Sequence, residues 1–138
     1  MAALVQGVLL GRLLKLASEQ RLILTGIALL AAGFAWLPVT ATQAALLGAT
    51  AVIAVGHGLL AAPLNGLASQ QASAVGQGRI LGVMQSTASL ARVAGPVLGG
   101  WLLQHDALQA VEVYGRTPYW AGAAILIAAL AAAASGKL

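Results

Sequence analysis

The sequence predicts an all-α protein whose helices cross a membrane as a polytopic bundle. Of its 138 residues, 60% are hydrophobic and only 7% are charged, and the mean hydropathy is +0.92. A soluble domain of this length would need more polar side chains to cover its surface, which weighs against an alanine-rich soluble helical protein. Several apolar runs are also long enough to cross the roughly 30 Å hydrocarbon core of a bilayer as helices. We therefore expect an integral membrane protein with about four full spans.

Polar connections divide the chain into five apolar segments. The first is too short to span a bilayer, because Arg12 and Lys15 follow about ten apolar residues. We expect residues 1–16 to be the end of a helix whose first half is missing. Full spans are expected over residues 22–39, 44–68, 80–103 and 118–135. The loop 104–117 carries His105 and Asp106, both expected to be solvated.

The basic residues predict the orientation of the bundle. If the first loop is cytoplasmic, most basic residues lie on the cytoplasmic side, as the positive-inside rule requires. These residues are Arg12, Lys15, Arg21, Arg79 and Lys137. Trp36, Trp101, Tyr119 and Trp120 would then form an aromatic belt at the outer interface. We expect a multi-pass protein of the bacterial inner (plasma) membrane with a cytoplasmic C-terminus.

Composition and motifs argue against several classes of function. The net charge is +4 and the pI is about 10.4, but the seven basic residues are scattered and form no nucleic-acid patch. The absence of cysteine excludes disulfides, thiol nucleophiles and thiolate metal sites. The sequence contains no Ser/His/Asp triad, phosphate-binding loop or metal-ligand cluster. We expect neither an enzyme nor a cofactor or metal.

The segment 80–103 carries the most informative polar residues. Gln85, Ser89 and Arg92 are spaced i, i+4, i+7 and predict one polar face of a helix. Pro96 has no N–H, so the carbonyl of Arg92 loses its helical partner. A charge at the centre of a membrane helix usually faces the bundle interior or water. Arg92 therefore either contacts substrate or gates protons in a cavity, or clamps a neighbouring helix's carbonyl or carboxylate.

A ridge of small residues runs along the same helix. Thr87, Ala91, Gly95 and Gly99 recur every four residues, which allows another membrane helix to approach closely. The segment 44–68 contributes two further candidates for a substrate pathway. His57 is either a proton carrier or a neutral histidine hydrogen-bonded across helices. Asn65, like Gln85, is either a ligand or an interhelical hydrogen-bonding group.

One pattern in the segment 80–103 resembles a known transporter motif. Its residues are Gly82, Ala91, Gly95, Pro96, Gly99 and Gly100. The spacing resembles the glycine–proline antiporter motif of drug:proton antiporters in the major facilitator superfamily, which has glycine at the position of Ala91. That motif belongs to the fifth helix, and the eleventh, its repeat-related partner, often carries a looser version. The flanking sequence and the last span resemble the eleventh and twelfth helices of such transporters.

A second pattern lies near the N-terminus. Gly7, Gly11 and Arg12 resemble the superfamily's loop motif that follows its second and eighth helices, with Gly11 at the position of an acidic residue. The resemblance therefore implies that the chain covers the end of helix eight through helix twelve.

The resemblance implies a fragment of a secondary active transporter, with proton-coupled export of a small solute or drug. Its partners would be the lipid bilayer, the substrate, protons and the missing N-terminal half. No acidic residue lies inside a predicted span, so we expect no proton coupling by the fragment alone. A sugar or metabolite carrier of the same fold is the alternative within this class. The alternative from another class is a complete small four-helix membrane protein, either a homodimeric exporter or an accessory subunit.

Overall fold

The computed structural model describes residues 18–70, 77–108 and 115–135. The predicted partial helix 1–16 and the loop motif of Gly7, Gly11 and Arg12 lie outside these residues. The described segments form four α-helices, one 3₁₀ turn and no strand, which confirms the all-α prediction. The elements are α1 (Glu19–Trp36), the 3₁₀ turn (Leu37–Val39), α2 (Gln43–Gln70), α3 (Gln77–Leu108) and α4 (Thr117–Ala134).

Three helical segments among the described residues are long and apolar enough to cross a membrane. They are Gln20–Val39, Gln43–Ala61 and Thr117–Ala134. The protein is therefore membrane-embedded, as the sequence predicts. The fourth helix, α3, is the longest at 32 residues, but it is not among these three. Its lower hydropathy follows from its glycines, hydroxyl-bearing residues, Gln85 and Arg92.

A short turn reverses the chain between α1 and α2. Pro38 occupies the first turn of the 3₁₀ segment, where its missing N–H leaves no hydrogen bond unmade. The Thr40 hydroxyl donates to the Leu37 carbonyl at 2.8 Å. The Thr42 hydroxyl accepts from the Ala45 N–H at 3.2 Å and caps the N-terminus of α2. These local bonds let α2 run back antiparallel along α1.

Close backbone approach joins α1 and α2. A Cβ at Gly26 would lie 2.9 Å from the Gly56 carbonyl oxygen, and a Cβ at Gly56 would lie 2.9 Å from the Gly26 carbonyl oxygen. Real Cβ atoms do not come this close, so each position requires glycine in this packing. One end of the hairpin repeats the arrangement, because Gly33 faces Ala49 and Ile53, and Ala49 is completely buried.

Helix α1 lies at the centre of the packing and also receives α4. Gly122 of α4 leaves room for the Phe34 ring, whose Cδ1 would lie 3.0 Å from an added Cβ. Of the seven buried hydrophobic residues in the described part of the chain, four belong to α1, namely Leu22, Ile27, Leu30 and Ala31. The core is thus built from α1 with α2 on one side and α4 on another.

Helix α3 lies at the periphery of this core. Its large apolar side chains are mostly exposed, with Leu90 69% exposed, and Val93, Val97 and Trp101 similarly open. Ile80, Met84 and Ala88 are half-buried near its beginning, and Leu102 and Leu103 near its end. Much of the surface of α3 therefore remains uncovered by the described residues.

Candidate functional site: the polar face of α3

The predicted polar residues of α3 are all exposed. The helix continues through Pro96 without interruption, so Gln85, Ser89 and Arg92 keep their helical spacing along one side. Among the described residues, none of these three side chains has a hydrogen-bond partner. Their polar groups are therefore directed out of the described bundle.

Other residues share this side of α3. With 100° of rotation per residue, Gly82, Pro96 and Gly100 project within about 60° of the line through the three polar residues. All three are exposed. The large apolar side chains Leu90 and Val97 project roughly 110–130° away from this line. Hence α3 has an exposed face on which small and polar residues predominate, beside the exposed Leu81; it is here called the polar face (Gly82, Gln85, Ser89, Arg92, Pro96 and Gly100).

Arg92 lies near the midpoint of α3. At ~1.5 Å per residue it is roughly 23 Å from either end of the helix. Within the described segments, the acidic residues are Glu19, which begins α1, and Asp106, which is near the end of α3. Neither lies at the depth of Arg92, and Asp106 is engaged elsewhere. The charge of Arg92 is therefore not balanced by a described carboxylate.

Two hydroxyl-bearing residues of α3 are satisfied by the helix itself. The Ser86 hydroxyl donates to the Gly82 carbonyl at 2.8 Å, and the Thr87 hydroxyl donates to the Val83 carbonyl at 2.9 Å. Such bonds allow a hydroxyl to sit in an apolar environment without a further partner. They distinguish these two residues from Ser89, and Ser86 is a matched control for experiments on it.

The glycines of the pattern that resembles the antiporter motif have free space around them. A Cβ at Gly82, Gly95, Gly99 or Gly100 would meet nothing within 4 Å. Ala91 and Pro96 are exposed as well. The close helix approach in the described chain thus occurs at Gly26 and Gly56, not on the ridge of α3. Any use of the motif for packing requires a partner outside the described residues.

The candidates of α2 stand apart from this face. His57 is exposed and follows Gly56, which faces α1, so its side chain projects to another side of α2. No hydrogen bond among the described residues joins His57 to α3. Asn65 lies within α2, after the fully buried Pro63. The structure therefore gathers Gln85, Ser89 and Arg92, and it does not bring His57 to them.

Asp106 is the polar residue that the sequence reading missed. The expectation that it is solvated in a loop is wrong, because α3 extends to Leu108 and Asp106 is only 2% exposed. Its carboxylate accepts a hydrogen bond from the Thr117 N–H at 3.2 Å and a second from the Thr117 hydroxyl. It therefore caps the N-terminus of α4 from the end of α3. No local spacing signals a cap that comes from another helix.

The same contacts perturb the acidity of this carboxyl. The hydrogen bond from the Thr117 hydroxyl is the main reason that the pKa of Asp106 is below its ordinary value of 3.8, although burial opposes this shift. The Thr117 and Gly115 backbone groups and the charge of His105 act in the same direction as the hydroxyl. The His105 ring also lies 6.1 Å from the Trp101 ring in a tilted arrangement. Asp106 thus serves as an ionised structural cap at the α3–α4 corner.

Comparisons with known families and proteins add no assignment. No family model, curated protein or solved structure matches the chain. Among the described residues, no group of three or more His, Cys, Asp or Glu side chains could hold a metal ion. The polar face of α3 is consequently the arrangement from which a function can be argued.

Proposed function

We propose that this chain is part of a secondary active transporter of the major facilitator type, which exports a small solute or drug in exchange for protons. The observation that carries the proposal is Arg92, exposed at mid-length on α3 and aligned with Gln85 and Ser89. The resemblance of the surrounding glycines and Pro96 to the antiporter motif supports the same function.

The energetics of a charged residue in lipid support a pathway beside α3. An arginine at the centre of a membrane helix costs about 2.5–3.5 kcal/mol on insertion scales, so it usually faces protein or water. Opposite Arg92, the apolar side chains Leu90 and Val97 provide a face suited to lipid. The polar face is therefore the side that would face the rest of the transporter rather than lipid, beside the substrate pathway.

Proton coupling would require residues beyond those described. Neither Glu19 nor Asp106 lies in the middle of a described helix. A carboxylate for proton exchange would therefore come from the other half of the transporter, which would also form the second wall of the pathway. Substrate, protons, the bilayer and that half are the partners that the proposal implies.

The proposed orientation places the C-terminus in the cytoplasm of a bacterium, with the chain in the inner membrane. Ser18 and Gln43 are both exposed and stand at opposite ends of α1. We expect Gln43→Cys, but not Ser18→Cys, to react with an impermeant thiol reagent applied to intact cells. Labelling of Ser18→Cys but not of Gln43→Cys would show that the orientation is the reverse of the proposed one.

Transport by the complete protein tests the function. The complete protein would be expressed in cells that lack their own drug exporters. Ethidium accumulation in these cells would be measured and normalised to the abundance of the protein in the membrane. We expect Arg92→Ala to abolish most export while abundance holds or rises, since the insertion cost is removed. Arg92→Lys should also impair export, because lysine lacks the planar five-donor fork. Ser86→Ala, which alters a hydroxyl satisfied within α3, is the matched control.

Normal export by Arg92→Ala would remove this residue from the pathway and contradict the proposal. A second measurement addresses the alternative of a small homodimeric exporter. The 138-residue chain reconstituted alone in vesicles should show no ethidium-dependent proton flux. Robust flux from the isolated chain would favour the homodimer in place of our proposal.

A further inference from the structure

We infer that a transmembrane helix bearing a carboxylate at mid-depth docks on the polar face of α3 and pairs with Arg92. This inference rests on α3 crossing the membrane, as the proposed function also requires, and it goes beyond that function because it holds whether or not any solute is transported. It names the group that pairs with Arg92, which the transport proposal leaves open.

Charge complementarity gives the first argument. Arg92 is exposed, and no described carboxylate lies at its depth. Asp106 lies roughly 21 Å further along α3 at ~1.5 Å per residue, and its two oxygens are occupied by Thr117. A cation inside a membrane pairs with an anion or with backbone carbonyls. Guanidinium binds a carboxylate with two parallel hydrogen bonds, which makes this anion the best-fitting partner.

The shape of the face gives the second argument. Its residues Gly82, Gln85, Ser89, Arg92 and Pro96 are spaced alternately by three and four. This 3.5-residue period is the one at which two helices stay in contact over several turns. A Cβ at Gly82 or Gly100 would meet nothing within 4 Å. The face is therefore long and shallow, as a second helix requires.

Other occupants fit less well. A lipid headgroup does not easily reach Arg92, because the interface of a roughly 30 Å hydrocarbon core lies about 15 Å from its centre, farther than one arginine side chain extends. A small anionic solute would cover one turn and leave Gln85 and Gly100 uncovered. A second copy of this chain, docked symmetrically through the same face, would bring two Arg92 side chains together and supply no carboxylate from its described helices. The α1–α2 interface is closed within the described chain by Gly26 and Gly56, whereas the open polar face of α3 is covered by a different helix.

Synthetic membrane-spanning peptides provide a test that needs no transport. Three 21-residue Leu/Ala peptides would carry Glu, Gln or Leu at their centre, and their association with the labelled 138-residue chain would be measured by energy transfer in phosphatidylcholine vesicles. We expect the Glu peptide to bind about tenfold more tightly than the Leu peptide, as one strong interhelical polar contact allows. Arg92→Leu should remove this preference, whereas Arg79→Leu, at the beginning of α3, should retain it.

A second variant separates docking from folding. Gly82→Leu should weaken binding of the Glu peptide without lowering the resistance of the chain to unfolding, because the added side chain meets nothing within the described bundle. Equal binding of the Glu and Leu peptides, or an unchanged preference in Arg92→Leu, would overturn the inference. Two further outcomes would also overturn the inference. One is self-association of the chain that depends on Arg92 and excludes the Glu peptide. The other is peptide binding that does not depend on Glu and appears only when anionic phosphatidylglycerol is added. None of these outcomes depends on ethidium export, so the two proposals fail separately.

Discussion

Replacement of Gly26 by alanine should loosen the α1–α2 hairpin. The added Cβ would lie 2.9 Å from the Gly56 carbonyl oxygen and 2.9 Å from the Leu60 nitrogen, whereas ordinary van der Waals contact begins at 3.4 Å. Both neighbouring atoms belong to the backbone, so no side chain can rotate away. The two helices would have to separate by about half an ångström, and the contact between Gly33 and Ile53 would loosen with them.

The expected magnitude combines two opposing effects. Overpacking a well-packed site typically costs about 1–3 kcal/mol. Alanine also gives the unfolded chain less conformational entropy than glycine does, which stabilises the folded helix by about 0.5–1 kcal/mol. The steric cost is larger, so we expect a net loss of about 1–2 kcal/mol in the free energy of unfolding. Gly26→Val should lose more, because its branched side chain adds two further carbons at the same contact.

Gly99→Ala is the matched control for this prediction. Gly99 is also inside a helix, but a Cβ there would meet nothing within 4 Å. Only the entropy effect should operate, so this variant should be as stable as the parent chain or more stable. The measurement is unfolding of the purified chain in mild detergent by increasing amounts of sodium dodecyl sulfate, followed by circular dichroism and tryptophan fluorescence. If Gly26→Ala and Gly99→Ala shift the midpoint equally, the close backbone approach of α1 and α2 is wrong.

The remaining predictions use the same unfolding measurement. Asp106→Asn should destabilise the chain at pH 7, because both carboxylate oxygens accept hydrogen bonds from Thr117 and an amide has only one acceptor oxygen. Since the pKa of Asp106 is lowered in the folded state, the stabilisation by this carboxylate is present above its ordinary pKa of 3.8 and is lost as the pH falls through the lower folded value. As the pH falls below 3.8, the parent chain should therefore lose stability more steeply than Asp106→Asn. Parallel plots of stability against pH for the two chains would contradict the cap. Thr117→Val removes the donating hydroxyl and should reproduce part of the same loss, which an unchanged midpoint would exclude. Gly122→Val should displace the Phe34 ring and separate α4 from α1, with a loss of about 1–3 kcal/mol; a stabilised variant would show that this contact is absent.

The helices were predictable because apolar runs and polar connections alternate clearly along this sequence. The predicted spans 22–39, 44–68 and 118–135 overlap α1, α2 and α4 almost completely. The difference is largest at α3, which begins at Gln77 and ends at Leu108 rather than covering 80–103. Hydropathy marks the part of a helix that suits lipid, whereas helical hydrogen bonds continue into polar residues such as Gln104 and His105.

The tertiary contacts were less predictable. The spans 22–39 and 118–135 carry no charge and little polar character, yet Gly26, Phe34 and Gly122 from these spans make defining contacts of the packing. A lone sequence does not reveal which glycine of one helix meets which glycine of another. The Asp106–Thr117 cap escaped prediction for a related reason, because its two residues belong to different helices and the segment between them has no periodic pattern.

Glycine serves two different purposes in this chain, and the difference distinguishes its packed surface from its open one. At Gly26 and Gly56 the missing side chain is used within the described bundle, since any Cβ would strike backbone. At Gly82 and Gly100 a Cβ would meet no described atom within 4 Å. A better helix former at either position would therefore stabilise this bundle. These open glycines share a face with Arg92, whose insertion into lipid is costly. Two features that are unfavourable for the isolated chain thus coincide on α3, and contact with another membrane helix would offset both.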